Sequence, residues 1–191
     1  MSRTSEEWLE LLSADGVATG EKKLKRLVHR DGDWHRTAHL WIGTPGGEVL
    51  LQRRALVKEN YGGYWDVAVA GHVSAGETAA TAIVREAFEE LGIGLREEEL
   101  EKLGSVKEEC VLNEGKYIDR ELHEIFAVRR EVNLATLVLQ REEVEGVVLI
   151  PAGELARRIQ SGDPTLVPHG AEHALVLDWL RDLNREAQSL R

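Results

Sequence analysis

Cysteine is almost missing from this chain: Cys110 is the only one in 191 residues. That excludes an intramolecular disulfide and any cysteine-rich zinc site, and it fits a reducing setting. Long apolar runs are missing as well. No stretch approaches the roughly 20 residues that a membrane span needs. The N-terminus, Met-Ser-Arg-Thr-Ser-Glu-Glu, is charged at once and carries no apolar signal segment. A cytoplasmic protein that does not enter membranes is the expectation. Positive charge is in deficit, with 24 Lys plus Arg against 34 Asp plus Glu and a net charge of −10. Such a chain lacks the basic face of a nucleic-acid polymer binder. A phosphorylated small molecule stays open, because a bound divalent cation reverses the local field. No fixed-period repeat, low-complexity tract or linker is present. One domain over residues 1–191 is expected, and 42% hydrophobic residues are ample for its core.

The elements can be read from spacing. Residues 6–12 predict a strand, Asp15-Gly16 a turn, and residues 22–29 the return strand of a hairpin. Strands are expected at 39–43 and 48–53 around Thr44-Pro45-Gly46-Gly47, and at 65–70 after a loop at 60–63. Two more, 103–112 and 121–130, flank a turn at 113–116, and 146–150 is closed by Pro151. Ala80, Ile83, Val84, Ala87 and Leu91 recur at helical spacing. Ser74-Ala75-Gly76-Glu77 has capping-box spacing before that helix, and Gly92 is placed to stop it. Residues 152–160 and 171–187 predict two further helices. The last carries a stripe with Leu175, Trp179, Leu180 and Leu183 that suits a core and could also serve a homodimer. Strands, helix, strands, helix, helix is the order of an α/β or α+β layered domain with a mixed sheet.

The chemistry concentrates in Gly71 to Ile93. Glu86, Glu89 and Glu90 stand at i, i+3 and i+4 on one helical face, where three like charges repel. A divalent cation with oxygen ligands, magnesium or manganese, relieves that repulsion. Arg85 points beside the acidic cluster and can pair with Glu77 near the helix start, fixing the loop from Gly71 to Gly76. A solvated acidic stripe is the bland reading of such a charge run; the glycines and the arginine at fixed offsets argue against it.

Those residues form the pattern Gly-x5-Glu-x7-Arg-Glu-U-x-Glu-Glu-x-Gly-U, with U a bulky apolar residue: Gly71, Glu77, Arg85, Glu86, Ala87, Glu89, Glu90, Gly92 and Ile93. Only Ala87 is smaller than the pattern asks. The segment resembles the Nudix box. The resemblance implies an αβα sandwich with a mixed central sheet: a core at about 36–160, an N-terminal hairpin extension at about 1–35, and a C-terminal helix at about 165–191. It implies hydrolysis of a nucleoside diphosphate derivative or similar organic pyrophosphate, by water attack on phosphorus with Mg²⁺ or Mn²⁺. Carried over by position, Glu86 and Glu90 are the principal metal ligands, with the carbonyl around Gly71. Glu89 is a ligand or the base, and Glu77 with Arg85 is the orienting pair.

A wider likeness covers roughly residues 8–160. Leu51-Gln52-Arg53-Arg54-Ala55, Lys58, Trp65-Asp66 and Ala70-Gly71-His72 resemble the branch containing type I isopentenyl-diphosphate isomerase. That resemblance implies a second metal site of His29, His35, His72, Asp119 and Glu121. It also implies a catalytic cysteine where this chain has Ala70, so isomerisation is disfavoured and a diphosphate hydrolase on an isomerase-like scaffold is expected. A non-catalytic nucleotide-binding module ranks last, because the box is intact. Glu121, and then Glu142, Glu143 and Glu145, are candidates for a base outside the box. Arg53, Arg54 and Lys58 are candidates for holding phosphate oxygens, or else ordinary surface ion-pairing residues. His39, His123, His169 and His173 receive no role.

Overall fold

The structure, a computed structural model, describes residues 6–189. The first five residues of the expected extension and the last two of the expected C-terminal helix lie outside them. β1 (Trp8–Leu12) and β2 (Ala18–Leu24) form the antiparallel N-terminal hairpin. The expected return strand at 22–29 is cut short. Trp8, the first residue of β1, pairs with Leu24, and beyond that only Lys25 N reaches back, to Glu7 O, among the described residues. The chain turns instead into α1 (Lys25–Asp31), which Gly32 ends in a left-handed conformation. This turn buries Val28 and His29.

β3 (His35–Gly43) is the centre of the main sheet. It pairs antiparallel with β4 (Glu48–Arg54), only through Ile42 and Gly43. The expected strand at 65–70 is divided. β5 (Trp65–Asp66) pairs with β4, whereas β6 (Val69–His72) pairs with the first half of β3. The sheet therefore splays between its β4–β5 and β3–β6 arms. α2 (Ala79–Leu91) comes next, then β7 (Glu101–Leu112) and β8 (Tyr117–Arg129), an antiparallel pair in which β8 runs parallel to β3. β9 (Val144–Pro151) closes on β4, and α3 (Ala152–Ser161) and α4 (Glu172–Ser189) end the described chain.

The period-two alternation of strands explains the layers. Leu40, Ile42 and Leu50 face one core with Ile83, Ala87 and Leu91 of α2. Their neighbours Trp41, Val49 and Leu51 face the other core, with Trp179, Leu180 and Leu183 of α4 and Leu155 of α3. The result is an αβα sandwich on a mixed seven-stranded sheet, with the hairpin and the C-terminal helix as additions. The stripe of α4 is used inside the chain. Among the described residues, no helix is long and apolar enough to cross a membrane.

The start of α2 differs from the expected capping box. Thr78 is the N-cap, its side chain accepting from Thr81 N at 3.1 Å. Ser74 and Glu77 form a turn one step earlier, with Glu77 N donating to Ser74 O and Ser74 N to Glu77 Oε2. The Glu77 carboxylate is thereby free of the helix end and available to Arg85. Thr78→Ala is expected to cost about 1 kcal/mol. Thermal unfolding followed by circular dichroism should register this as a fall of about 2–4 °C.

Candidate active site

Strand alternation also brings the polar residues together. Along β3, His35, Thr37 and His39 point to one face; along β8, Asp119, Glu121 and His123 do the same. The parallel register sets His35 beside Glu121 and Thr37 beside His123. β6 adds His72 opposite Thr37, and β7 adds Glu108 opposite Glu121 and Cys110 opposite Asp119. All of these side chains except the fully buried His35 line one cleft of about 1510 Å³, which reaches across the splayed sheet to the carboxylates of α2.

The imidazoles of His29, His35 and His72 converge with Glu121. His29 Nε2 and His72 Nε2 face each other at 3.3 Å, and Glu121 Oε1 lies 3.2 Å from His35 Nε2 and 3.5 Å from His72 Nε2. Asp119 Oδ1 is buried without a hydrogen bond, 3.4 Å from His29 Nε2 and 3.9 Å from His35 Nε2. Lys25 O and Asp33 O fix the other nitrogens of His29 and His35, at 2.9 and 3.1 Å. Burial, with the Lys25 charge nearby, holds His72 well below the ordinary histidine value. Burial raises Asp119. Burial would raise Glu121 as well, but the His35 hydrogen bond and the surrounding imidazoles hold it well below its usual value. Three imidazoles and an orphaned carboxylate oxygen converging on one point are a donor set for a cation such as zinc or manganese. The residues present fit such an ion.

On the other side of the cleft, Arg85 organises the acidic helix. Its guanidinium grips Glu77 through two contacts of 3.0 Å, and its Nη1 reaches Glu86 Oε1 at 2.8 Å and Glu89 Oε2 at 3.2 Å. It thus contacts the acidic cluster itself, rather than only passing beside it. Glu89 is exposed. Glu90 is buried, accepts from Gln52 Nε2 at 3.3 Å, and makes no ion pair among the described residues. Burial and the Glu86 charge push its carboxyl up to about 8. Lys58 stands on the lip, paired with Glu143. Arg54 lines the cleft but is committed to Asp66 at 2.9 Å. Arg53 lies off the cleft, bonded to Gly63 O and 3.7 Å from Glu145. Of the four outside carboxylates, Glu121, Glu142 and Glu143 line the cleft and Glu145 does not.

Residues 33–170 match the NUDIX domain family. The chain belongs to the Nudix family. Family members generally use divalent metals, and curated relatives of this chain are named Nudix hydrolases. It is 37% identical over 97% of its length to Nudix hydrolase 3 of Arabidopsis thaliana, of which it spans about a quarter (25%). It is also 30% identical to an isopentenyl-diphosphate Δ-isomerase of Streptomyces griseus, over 93% of this chain and 85% of that protein. Among solved structures, DR0079 from Deinococcus radiodurans superposes with a TM-score of 0.65 over 93% of this chain and 99% of that one; at 19% identity this likeness concerns the fold.

Within this Nudix chain, Gly71 is required by close approach. A Cβ built there would lie 2.5 Å from Glu86 Cγ and 2.8 Å from its Oε1. Gly71→Ala should therefore push the Glu86 carboxylate out of place while the fold persists. The expected result is a loss of about 100-fold in kcat/KM, comparable to removing one transition-state contact, with an unchanged circular dichroism spectrum.

Sequence reasoning left a second set of residues unassigned. His39 Nδ1 meets Glu172 Oε2 at 2.7 Å, and Trp41 Nε1 donates to Glu172 Oε1 at 2.8 Å. His169 Nε2 meets Asp66 Oδ1 at 2.6 Å, and His123 Nδ1 meets Thr37 Oγ1 at 2.8 Å. The polar side chains at every second position, His35, Thr37 and His39 on β3 and Asp119, Glu121 and His123 on β8, were the available signal for His39 and His123. His169 and Glu172 are neighbours in the chain, with Glu172 N donating to His169 O, but their side-chain partners Asp66 and His39 lie far away in sequence, and no local pattern joins them.

Proposed function

We propose that this chain hydrolyses the diphosphate bond of a nucleoside diphosphate derivative or similar organic pyrophosphate, with Mg²⁺ or Mn²⁺, by attack of water on phosphorus. The observation that carries this reading is Glu90, a buried carboxylate beside Glu86 with no cation partner among the described residues, facing the same cleft as Lys58. Such a group is costly unless something positive joins it. Glu86, Glu90, Glu89 and the Gly71 carbonyl would hold the divalent ion. When bound, that ion neutralises phosphate charge and makes the phosphorus more electrophilic.

The protein's own groups do the rest. Arg85 and Glu77 hold the acidic helix against the loop after β6. Lys58 offers its ammonium to phosphate oxygens at the lip. Glu89, exposed and oriented by Arg85, or Glu121 on β8 takes the proton of the attacking water. His29, His35, His72, Asp119 and Glu121 would hold a second cation. That cluster also favours a second reading, isopentenyl-diphosphate isomerisation. Ala70 offers no acid at the position where the isomerase chemistry needs one; Cys110 lines the cleft from β7, its thiol pushed up to about 11 by burial.

The test is a screen of purified protein with Mg²⁺ against nucleotide sugars, dinucleotides, nucleoside di- and triphosphates, coenzyme A and prenyl diphosphates. Hydrolysis predicts release of phosphate or nucleoside monophosphate that stops when EDTA is added. Conversion of isopentenyl diphosphate to its dimethylallyl isomer without phosphate release would favour the second reading, and silence across the panel would overturn both.

A further inference from the structure

The cleft continues past the two carboxylate-lined ends to a wall that the proposed hydrolysis does not use. His39, His123 and His169 stand together there, His39 with ring centroids 4.5 Å from His123 and 5.0 Å from His169. All three residues are more than nine-tenths buried from bulk solvent. Each has one ring nitrogen committed: His39 to Glu172, His123 to Thr37 and His169 to Asp66. Trp41 on Glu172 and Arg54 on Asp66 hold those carboxylates in place in turn. The second ring nitrogens have no hydrogen-bond partner among the described residues. The nearest is Glu108 Oε2, 3.7 Å from His123 Nε2, and Glu108 itself makes no side-chain hydrogen bond among them.

A metal ion is a poor occupant here. The short contacts of 2.6 and 2.7 Å are those of closed hydrogen bonds, and both Glu172 oxygens are already taken. An alkyl chain is also a poor occupant, because it would displace water from three imidazoles and a carboxylate and replace none of its hydrogen bonds. Hydroxyl groups fit. Each can donate to Glu108 or to a ring nitrogen and accept from another ring nitrogen, and several on one scaffold would engage the wall together.

We propose that Glu108, His39, His123 and His169 form a specificity wall that binds a polyhydroxylated group, such as a sugar, carried on the diphosphate, and rejects prenyl and other alkyl diphosphates. This rests on the diphosphate hydrolase reading and deepens it. A site built for hydrogen bonding discriminates strongly against an analogue lacking the groups.

The experiment compares UDP-glucose and ADP-ribose with isopentenyl and geranyl diphosphates, using the full chain with Mg²⁺. Hydroxylated substrates are expected to exceed the prenyl ones by at least about 100-fold in kcat/KM, a preference worth about 2.7 kcal/mol. Glu108→Leu should shrink the preference at least about tenfold, mainly through KM, and Glu108→Gln, which keeps an acceptor, should restore most of it. The same comparison is made by calorimetry with methylene-bridged analogues of one member of each pair, which reads the wall without turnover. Inactivity toward every substrate would sink the hydrolase reading; the wall would still stand if the sugar analogue bound at least about tenfold tighter than the prenyl one. Equal or tighter prenyl binding, binding of neither, or an unchanged preference in Glu108→Leu overturns the proposal.

Discussion

Replacing Glu90 by Gln is expected to lower kcat/KM at least about a thousand-fold, equivalent to about 4 kcal/mol of barrier, while the protein stays folded. The change keeps the shape and the bond from Gln52 and removes the charge that a divalent ion would need. Its titration supplies a second readout. The folded carboxyl holds its proton to about pH 8, whereas the ordinary glutamate value is 4.5. The folded state binds the extra proton between those values, so metal-free stability falls as pH rises from about 4.5 to about 8. Glu90→Gln has no such proton to lose. Metal-free Tm should therefore drop from pH 5 to pH 9 by more in the natural protein than in the variant. Mg²⁺ should recover the natural protein's loss at pH 9 and leave the variant unmoved. Scanning calorimetry with and without EDTA checks the stability arm. Retained turnover in Glu90→Gln would remove the basis of the functional proposal.

Removing His72 carries the second large expectation. In the natural chain, equilibrium dialysis against Zn²⁺ or Mn²⁺ with elemental analysis of the dialysed protein should find a tightly held ion that does not depend on Glu90. In His72→Ala its affinity should fall at least about 100-fold, since loss even of the groups supporting a ligand costs 10–100-fold. Affinity should rise with pH, because burial raises Asp119 and its proton must leave before the oxygen can coordinate. Absence of retained ion from the natural chain would mean that the convergent imidazoles only stack, as His29 does on Tyr117 at 4.3 Å between ring centroids.

Local patterns made much of this legible. The helix from Ala79 to Leu91, its Gly92 stop, and the strands from Glu48, Glu101 and Val144 come from periodicity and turn residues that act within a few positions. The Arg85–Glu77 pair comes from helix geometry plus one preceding turn. The hidden features depend on partners. Residues 25–29 have a texture that suits a strand, but the described hairpin pairing ends at Trp8 and Leu24, and the chain turns into α1 there, burying Val28 and His29. Trp65 to Ala70 looks continuous, yet its two halves join different strands. The pairing of His39 with Glu172 and of His169 with Asp66 needs β3, β5 and the start of α4 in register, a condition that no window of sequence contains.

Glu172 opens the last helix and ties it to His39 and Trp41 of the central strand. During synthesis, both carboxylate-rich halves of the cleft are made long before that residue. The nascent chain can thus gather its acidic groups while one wall is still missing. Its pocket is finished only when the C-terminal segment clears the ribosome and packs beneath the sheet. Premature termination near residue 170 would leave the box whole and the pocket open.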